Sequence, residues 1–206
     1  MTYDRTFWEQ LWEKTLREHG DKVAQRPPSP HLLAEASSLT PGRALDAGCG
    51  HGAETLWLAG HGWRVTAVDF SASALEHLRT TARALGNELA ARITLIEADL
   101  SGWSPEPSAF DLVVSLYVHV ATTVEEALGR LASGVAPGGT LLAIGHRPID
   151  PATGAPTRAA SQTQVSLEAA RAVLDPQQWQ IVVAEERPRS VAGTGVDAVV
   201  VAKRRF

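Results

Sequence analysis

The densest chemistry in the sequence lies where the strand-like run Arg43-Ala44-Leu45-Asp46-Ala47 meets the glycine-spaced segment Gly48-Cys49-Gly50-His51-Gly52. Glycine takes the backbone angles of a sharp turn and lets a ligand rest directly on main-chain N–H groups. A side chain at Gly48 or Gly50 would block that approach, and Cys49 reads as a small buried residue of the turn. Roughly twenty positions on, a second strand-like run ends in Asp69, whose carboxylate can accept both hydroxyl hydrogens of a nucleoside ribose. A third ends beside Asp99, which can accept from an adenine amino group, with Phe70 and Leu100 as apolar walls around the ring. Phe70 and Leu100 serve equally well as core residues. Gly48-x-Gly50-x-x-Ala53 also satisfies a loose dinucleotide fingerprint, so the glycines alone leave a nicotinamide-dependent oxidoreductase open, and a non-catalytic ligand-binding protein beside it.

A second set of residues follows later in the chain. In open α/β sheets, ligands bind outside the carboxyl ends of the strands. Ser115, Tyr117 and His119 close one strand-like run and His146 and Arg147 another, so these side chains should face whatever the glycine turn holds. Either histidine can take a proton from a hydroxyl, thiol or amine near neutral pH. Arg147 suits an anionic substrate group, or is a solvated surface charge. Trp8 and Trp12, at helical spacing near the N-terminus, and the Pro- and Gly-rich segment 147–165 are candidates for a lid over the substrate. The two tryptophans read equally as residues that pack the first helix down.

The elements that must position these residues follow from periodicity. Apolar residues at three- and four-residue spacing predict a helix over 4–19, stopped by Gly20, and Ser29-Pro30 predicts a capped helix over 31–39. Strand-like runs at 43–47, 64–69, 93–98, 110–116 and 140–145 are separated by helical patterns at 53–59, 72–85 and 124–135, which argues for parallel βαβ units with helices on both faces. A capped helix at 166–174 and two strands at 180–184 and 196–202, joined through Gly193-Thr194-Gly195, predict an antiparallel finish. The expectation is a single α/β domain over 1–206, with a helical cap over 1–40 and a core over 41–206.

Composition narrows the partners. Nineteen Lys plus Arg against 23 Asp plus Glu leave a net charge of −4, so no basic field attracts a phosphate backbone, and a nucleic-acid partner is disfavoured. A lone cysteine, Cys49, forms no internal disulfide. No apolar run approaches the roughly 20 residues that span a bilayer, and the charged, aromatic N-terminus is unlike a signal peptide. A cytoplasmic protein, monomeric or homodimeric, with no membrane partner is expected.

Asp46-Ala47-Gly48-Cys49-Gly50-His51-Gly52 resembles the first motif of the class I S-adenosylmethionine-dependent methyltransferases. Asp69 is similar to their ribose-binding acid and Asp99 to their adenine-contacting acid. Phe110-Asp111-Leu112-Val113-Val114-Ser115 resembles their fourth strand, and the Pro137-Gly138-Gly139 turn the one before their fifth. The resemblance covers residues 41–202. It implies a Rossmann-like, seven-stranded, mostly parallel sheet with helices on both faces and an antiparallel C-terminal hairpin. It further implies S-adenosyl-L-methionine as cofactor, bound by Asp46, Gly48, Cys49, Gly50, Asp69, Phe70, Asp99, Leu100 and Ser115. In this family the acid at Asp46 helps hold the loop and the charged methionine end, which separates the chain from dehydrogenases. The implied reaction is methyl transfer to O, N or S of a small-molecule acceptor, with Arg147, Trp8 and Trp12 around the acceptor and His119, His146 and Tyr117 at the reacting atoms. A base is optional, because the sulfonium is already strongly electrophilic and alignment alone can suffice. No Asn-Pro-Pro-Tyr-like sequence of base-modifying enzymes and no Pro-Cys pair of cytosine-C5 enzymes is present. The fourth strand ends without the acid of the metal-dependent catechol-type enzymes, so no metal is expected.

Overall fold

Short runs rich in Val, Leu and Ala become strands, and the segments with helical periodicity between them become the crossovers that parallel strands require. The computed structural model of the chain describes residues 5–149, 153–156, 164–188 and 195–206. Its contacts divide it near Trp103 into two compact units, taken in turn.

The first unit carries the parallel strands β1 (Arg43–Ala47), β2 (Arg64–Asp69) and β3 (Ile93–Glu97), in the order β3-β2-β1. Helix α3 (Ala53–Gly60) leads from β1 to β2, and α4 (Ala72–Leu85) and α5 (Asn87–Ala90) lead from β2 to β3. Ala44, Leu45 and Ala47 on β1 and Ala67 and Val68 on β2 are fully buried, as strands covered on both faces must be. Helix α4 starts where Ser71 Oγ accepts from Ala74 N at 3.1 Å. Helices α1 (Arg5–Ala24) and α2 (Pro30–Ala36) precede β1.

The second unit has the order β4-β5-β7-β6, from β4 (Phe110–Leu116), β5 (Val135–His146), β6 (Trp179–Pro188) and β7 (Val196–Arg204). Helix α6 (Val124–Ser133) crosses between the parallel pair β4 and β5, and α7 (Leu167–Val173) precedes β6. Strand β7 runs antiparallel to both β5 and β6, with His146 opposite Asp197. Thr123 and Ser166 cap α6 and α7 through their side chains. The seven strands make a mixed, mostly parallel sheet with helical crossovers, the Rossmann-like α/β class expected from the sequence. No helix among the described residues is long and apolar enough to cross a membrane.

The helix expected over 4–19 breaks at His19 (φ −143°, ψ 24°), next to Gly20, and a further helical stretch that buries Val23 follows within α1 to Ala24. Three local readings change. Ser29 does not cap α2 with its side chain. The short helix α5 is additional. Pro137-Gly138-Gly139 lies within β5, where the register passes from Phe110–Val135 to Leu112–Thr140 and Gly138 takes φ 78°. Gly193 and Thr194, most of the proposed C-terminal connection, and residues 150–152 and 157–163 of the proposed lid segment lie outside the described residues.

Candidate functional site

The turn after β1 is built by its glycines and by Asp69. Gly48, Gly50 and Gly52 have φ of 82°, 50° and 86°, angles that other residues adopt only with strain. Gly48 N and Cys49 N both donate to Val68 O, at 2.8 and 3.0 Å, which carries the turn across the end of β2. There Asp69 Oδ2 accepts from Gly50 N at 2.8 Å and Oδ1 from Ser71 N at 2.9 Å. Each carboxylate oxygen retains a further lone pair, so Asp69 can still receive hydroxyl hydrogens. Burial raises its pKa, against hydrogen bonds from Ser71 and Gly50 that lower it.

The glycines have separate tasks. A Cβ on Gly52 would stand within 2.9 Å of three atoms of the Leu78 side chain, so this glycine admits α4. A Cβ on Gly50 would stand 3.0 Å from Trp12 Cζ2. Cys49 packs with Ala67, Leu75 and Leu78, leaving its backbone as its contribution to the turn. Burial and the charges of Asp46 and Asp69 push its thiol well up, away from the thiolate form that a nucleophile needs.

Asp46 is 2% exposed and accepts from Thr55 Oγ1 at 2.6 Å. Burial, and next the charge of Glu54, push its carboxyl up to about 7, and Asp69 adds to the rise. Glu54, on the first turn of α3, is raised by burial as well and accepts from Ser29 N at 2.9 Å. Three acids with raised pKa values thus gather about one turn, held by neutral donors. Asp99 is exposed and accepts from Ser101 N at 2.8 Å, and Ala98 N donates to Asp69 O at 3.0 Å, so the tips of β2 and β3 stand side by side. Leu100 is buried and Phe70 half-buried beside them.

Helix α1 closes onto these tips. Arg5 pairs with Glu97 at the end of β3. Glu9 Oε1 accepts from Ser73 N at 3.2 Å and Ser73 Oγ at 2.7 Å at the start of α4. Trp12 lies by Gly50, its ring 5.8 Å from that of His51. Trp8 is half-buried and meets Phe7 edge-on at 5.4 Å.

In the second unit, Tyr117 and His146 stack at 4.2 Å with their rings 27° apart. Asp197, 1% exposed, receives both: Tyr117 Oη donates to its Oδ2 at 2.9 Å, and His146 Nδ1 lies 2.8 Å from its Oδ1. Tyr117 has φ 60°, a left-handed angle that costs a non-glycine residue about 1–3 kcal/mol and recurs at functional sites. His119 is part-buried; burial, then the charge of His146, push its imidazole down to about 4, so it is neutral at pH 7. Ser115 is buried on β4 opposite Ala143. Arg147 does not offer a free guanidinium, because Nε meets Glu186 Oε1 at 2.8 Å. Asp197 is absent from the sequence-based set: it sits in an apolar run of β7, 80 positions from Tyr117 and 51 from His146. Only its place as the one acid in that run could have drawn notice.

Residues 44–139 match the family model described as a methyltransferase domain. The chain is 30% identical over 195 residues to thiocyanate methyltransferase 1 of Brassica oleracea, a match that spans 93% of this chain and 81% of the relative. The chain belongs to the class I S-adenosylmethionine-dependent methyltransferases. Among solved structures, it is similar to the 1,6-didemethyltoxoflavin-N1-methyltransferase of Burkholderia thailandensis, with a TM-score of 0.67 at 21% identity over 98% of this chain and 87% of that one. It is also similar to the [4+2]-cyclase SpnF, with a TM-score of 0.71 at 17% identity over 96% and 97% of the two chains. These two likenesses show the fold. The turn of this methyltransferase suits the family's cofactor chemically: its buried acids, with no Lys or Arg paired to them among the described residues, match a cationic sulfonium and ammonium, and Asp69 keeps lone pairs for a ribose.

Proposed function

We propose that this enzyme moves the methyl group of S-adenosylmethionine to an O, N or S atom of a small-molecule acceptor, and that His146 takes the acceptor's proton. Asp46, the backbone of Gly48, Cys49 and Gly50, Asp69 and Asp99 would hold the cofactor, with Phe70, Leu100 and Ser115 lining it. The cofactor, when bound, supplies an electrophilic methyl carbon. The remaining task of the chain is to orient the acceptor, exclude water and remove a proton.

The observation that carries the reading is the Asp197–His146 pair. A buried carboxylate 2.8 Å from Nδ1 holds the ring N–H on that side and leaves the Nε2 lone pair to accept a proton. Tyr117 spends its hydroxyl on the same carboxylate and lays its ring on the imidazole, so it acts as a positioning residue. His146 retains 27% side-chain exposure, enough to be reached. His119, neutral and part-buried, adds a polar wall without charge. A relative named for thiocyanate, a small nucleophile, supports a small acceptor.

The test is S-adenosylhomocysteine formation across thiols, phenols, N-heterocycles and thiocyanate. On acceptors that must lose a proton, Asp197→Asn and His146→Gln should lower turnover by about 10²–10⁴-fold, with cofactor affinity unchanged. On thiocyanate, already an anion, they should have little effect. Wild-type turnover by both variants on a protonated acceptor would remove His146 from the reaction.

A further inference from the structure

We infer that Ser29 and Glu54, neither of them in the glycine motif, form with Asp46 a pocket for a primary ammonium, the α-amino group at the methionine end of the cofactor. The inference rests on the cofactor reading above and assigns two residues to it. Ser29 precedes Pro30 at a helix start, where its hydroxyl is expected to accept from the first turn; it makes no such bond. It is 9% exposed, and its Oγ is buried without a hydrogen-bond partner. An unserved buried hydroxyl costs about 1–3 kcal/mol, so its retention asks for a ligand. Its own N–H is on Glu54 Oε1 at 2.9 Å, which sets the hydroxyl one side chain from that carboxylate. Thr55, next to Glu54, ties Asp46 at 2.6 Å, so α3 brings both acids to the same turn.

Among the described residues, no Lys or Arg pairs with either acid, and the charge of Glu54 adds to the negative field at Asp46. A primary ammonium offers three N–H donors and one positive charge, which match two carboxylates and one hydroxyl. A sulfonium carries no N–H and leaves the hydroxyl unserved. The carboxylate end of an amino acid would be repelled.

Calorimetry with S-adenosylhomocysteine and 5′-methylthioadenosine tests this, because the second ligand keeps the nucleoside and sulfur but lacks the amino acid. Glu54→Gln keeps an oxygen for Ser29 N–H and removes the charge; Ser29→Ala removes only Oγ. Affinity for S-adenosylhomocysteine should fall about 10–100-fold in Glu54→Gln and about 2–10-fold in Ser29→Ala. Affinity for 5′-methylthioadenosine should stay at the wild-type value in both. Ligand-free Glu54→Gln should melt no lower than wild type, since a carboxylate raised by burial is replaced by a neutral amide. Equal loss for both ligands, or unchanged S-adenosylhomocysteine affinity, overturns the pocket and leaves the cofactor reading intact. Failure of the wild-type protein to bind either ligand overturns that reading, and the pocket with it.

Discussion

Asp46→Asn measures how strongly the ligand-free protein resists the charge at the foot of its glycine turn. The folded carboxyl titrates at about 7 against an ordinary 3.8. With the folded value raised, the protonated group stabilises the fold: its contribution is fully present below about pH 4 and is lost as pH rises through about 7. At about 1.36 kcal/mol per pH decade, the loss over the whole window is about 4 kcal/mol, of which about 2–3 kcal/mol falls between pH 5 and 8. Asparagine does not titrate, and its carbonyl still accepts from Thr55 Oγ1, so the fixed effect of the substitution is the same at both pH values. Glu54 and Asp69 titrate in both proteins and largely cancel in the difference. Urea denaturation of ligand-free protein at pH 5 and 8, at one ionic strength, should show the variant gaining about 2–3 kcal/mol on wild type as pH rises. In melting experiments this is a relative shift on the order of 5–10 °C for a chain of this size. A difference that stays flat, or moves in favour of wild type, would show that Asp46 already has its charge compensated, and the argument from a bare negative turn would fall.

Gly52→Ala drives a methyl into Leu78 at a left-handed backbone position, and should lower unfolding free energy by about 1–3 kcal/mol in denaturant titrations. Tyr117→Phe removes the hydroxyl that Asp197 Oδ2 receives and keeps the ring on His146. It should lower unfolding free energy by about 1–3 kcal/mol in urea titrations and reduce turnover on acceptors that must lose a proton less than Asp197→Asn does.

What the sequence reveals is what chain-local rules govern. Glycine spacing, acids at strand ends and alternating apolar runs report backbone geometry, so the α/β order and the clustering of Asp69 with the turn could be read directly. Ser166 caps as expected, and Ser71 caps its helix in the same way, because their partners lie three positions on. Ser29 has the same local signal, yet its N–H meets Glu54, 25 positions away, and its side chain makes no cap. Asp197 escapes for the same reason: burial in an apolar strand is tolerable only because Tyr117 and His146 arrive from other strands to satisfy it. The break beside Gly20 is legible because the weak helix propensity of glycine acts locally, and α1 leaves helical angles at His19. Arg147 looked available because a sequence does not show Glu186 coming across from β6.

Helix α1 meets the first unit along one stripe, with Arg5, Glu9 and Trp12 at successive turns. The indole of Trp12 lies 3.0 Å from where a Cβ on Gly50 would stand, so a side chain at that position would have to displace it. The anchors differ in kind: the Arg5–Glu97 pair stands in solvent and slackens as salt rises, while the Glu9–Ser73 bonds, part-buried, do not. Rising salt therefore loosens the N-terminal end of α1 before its middle.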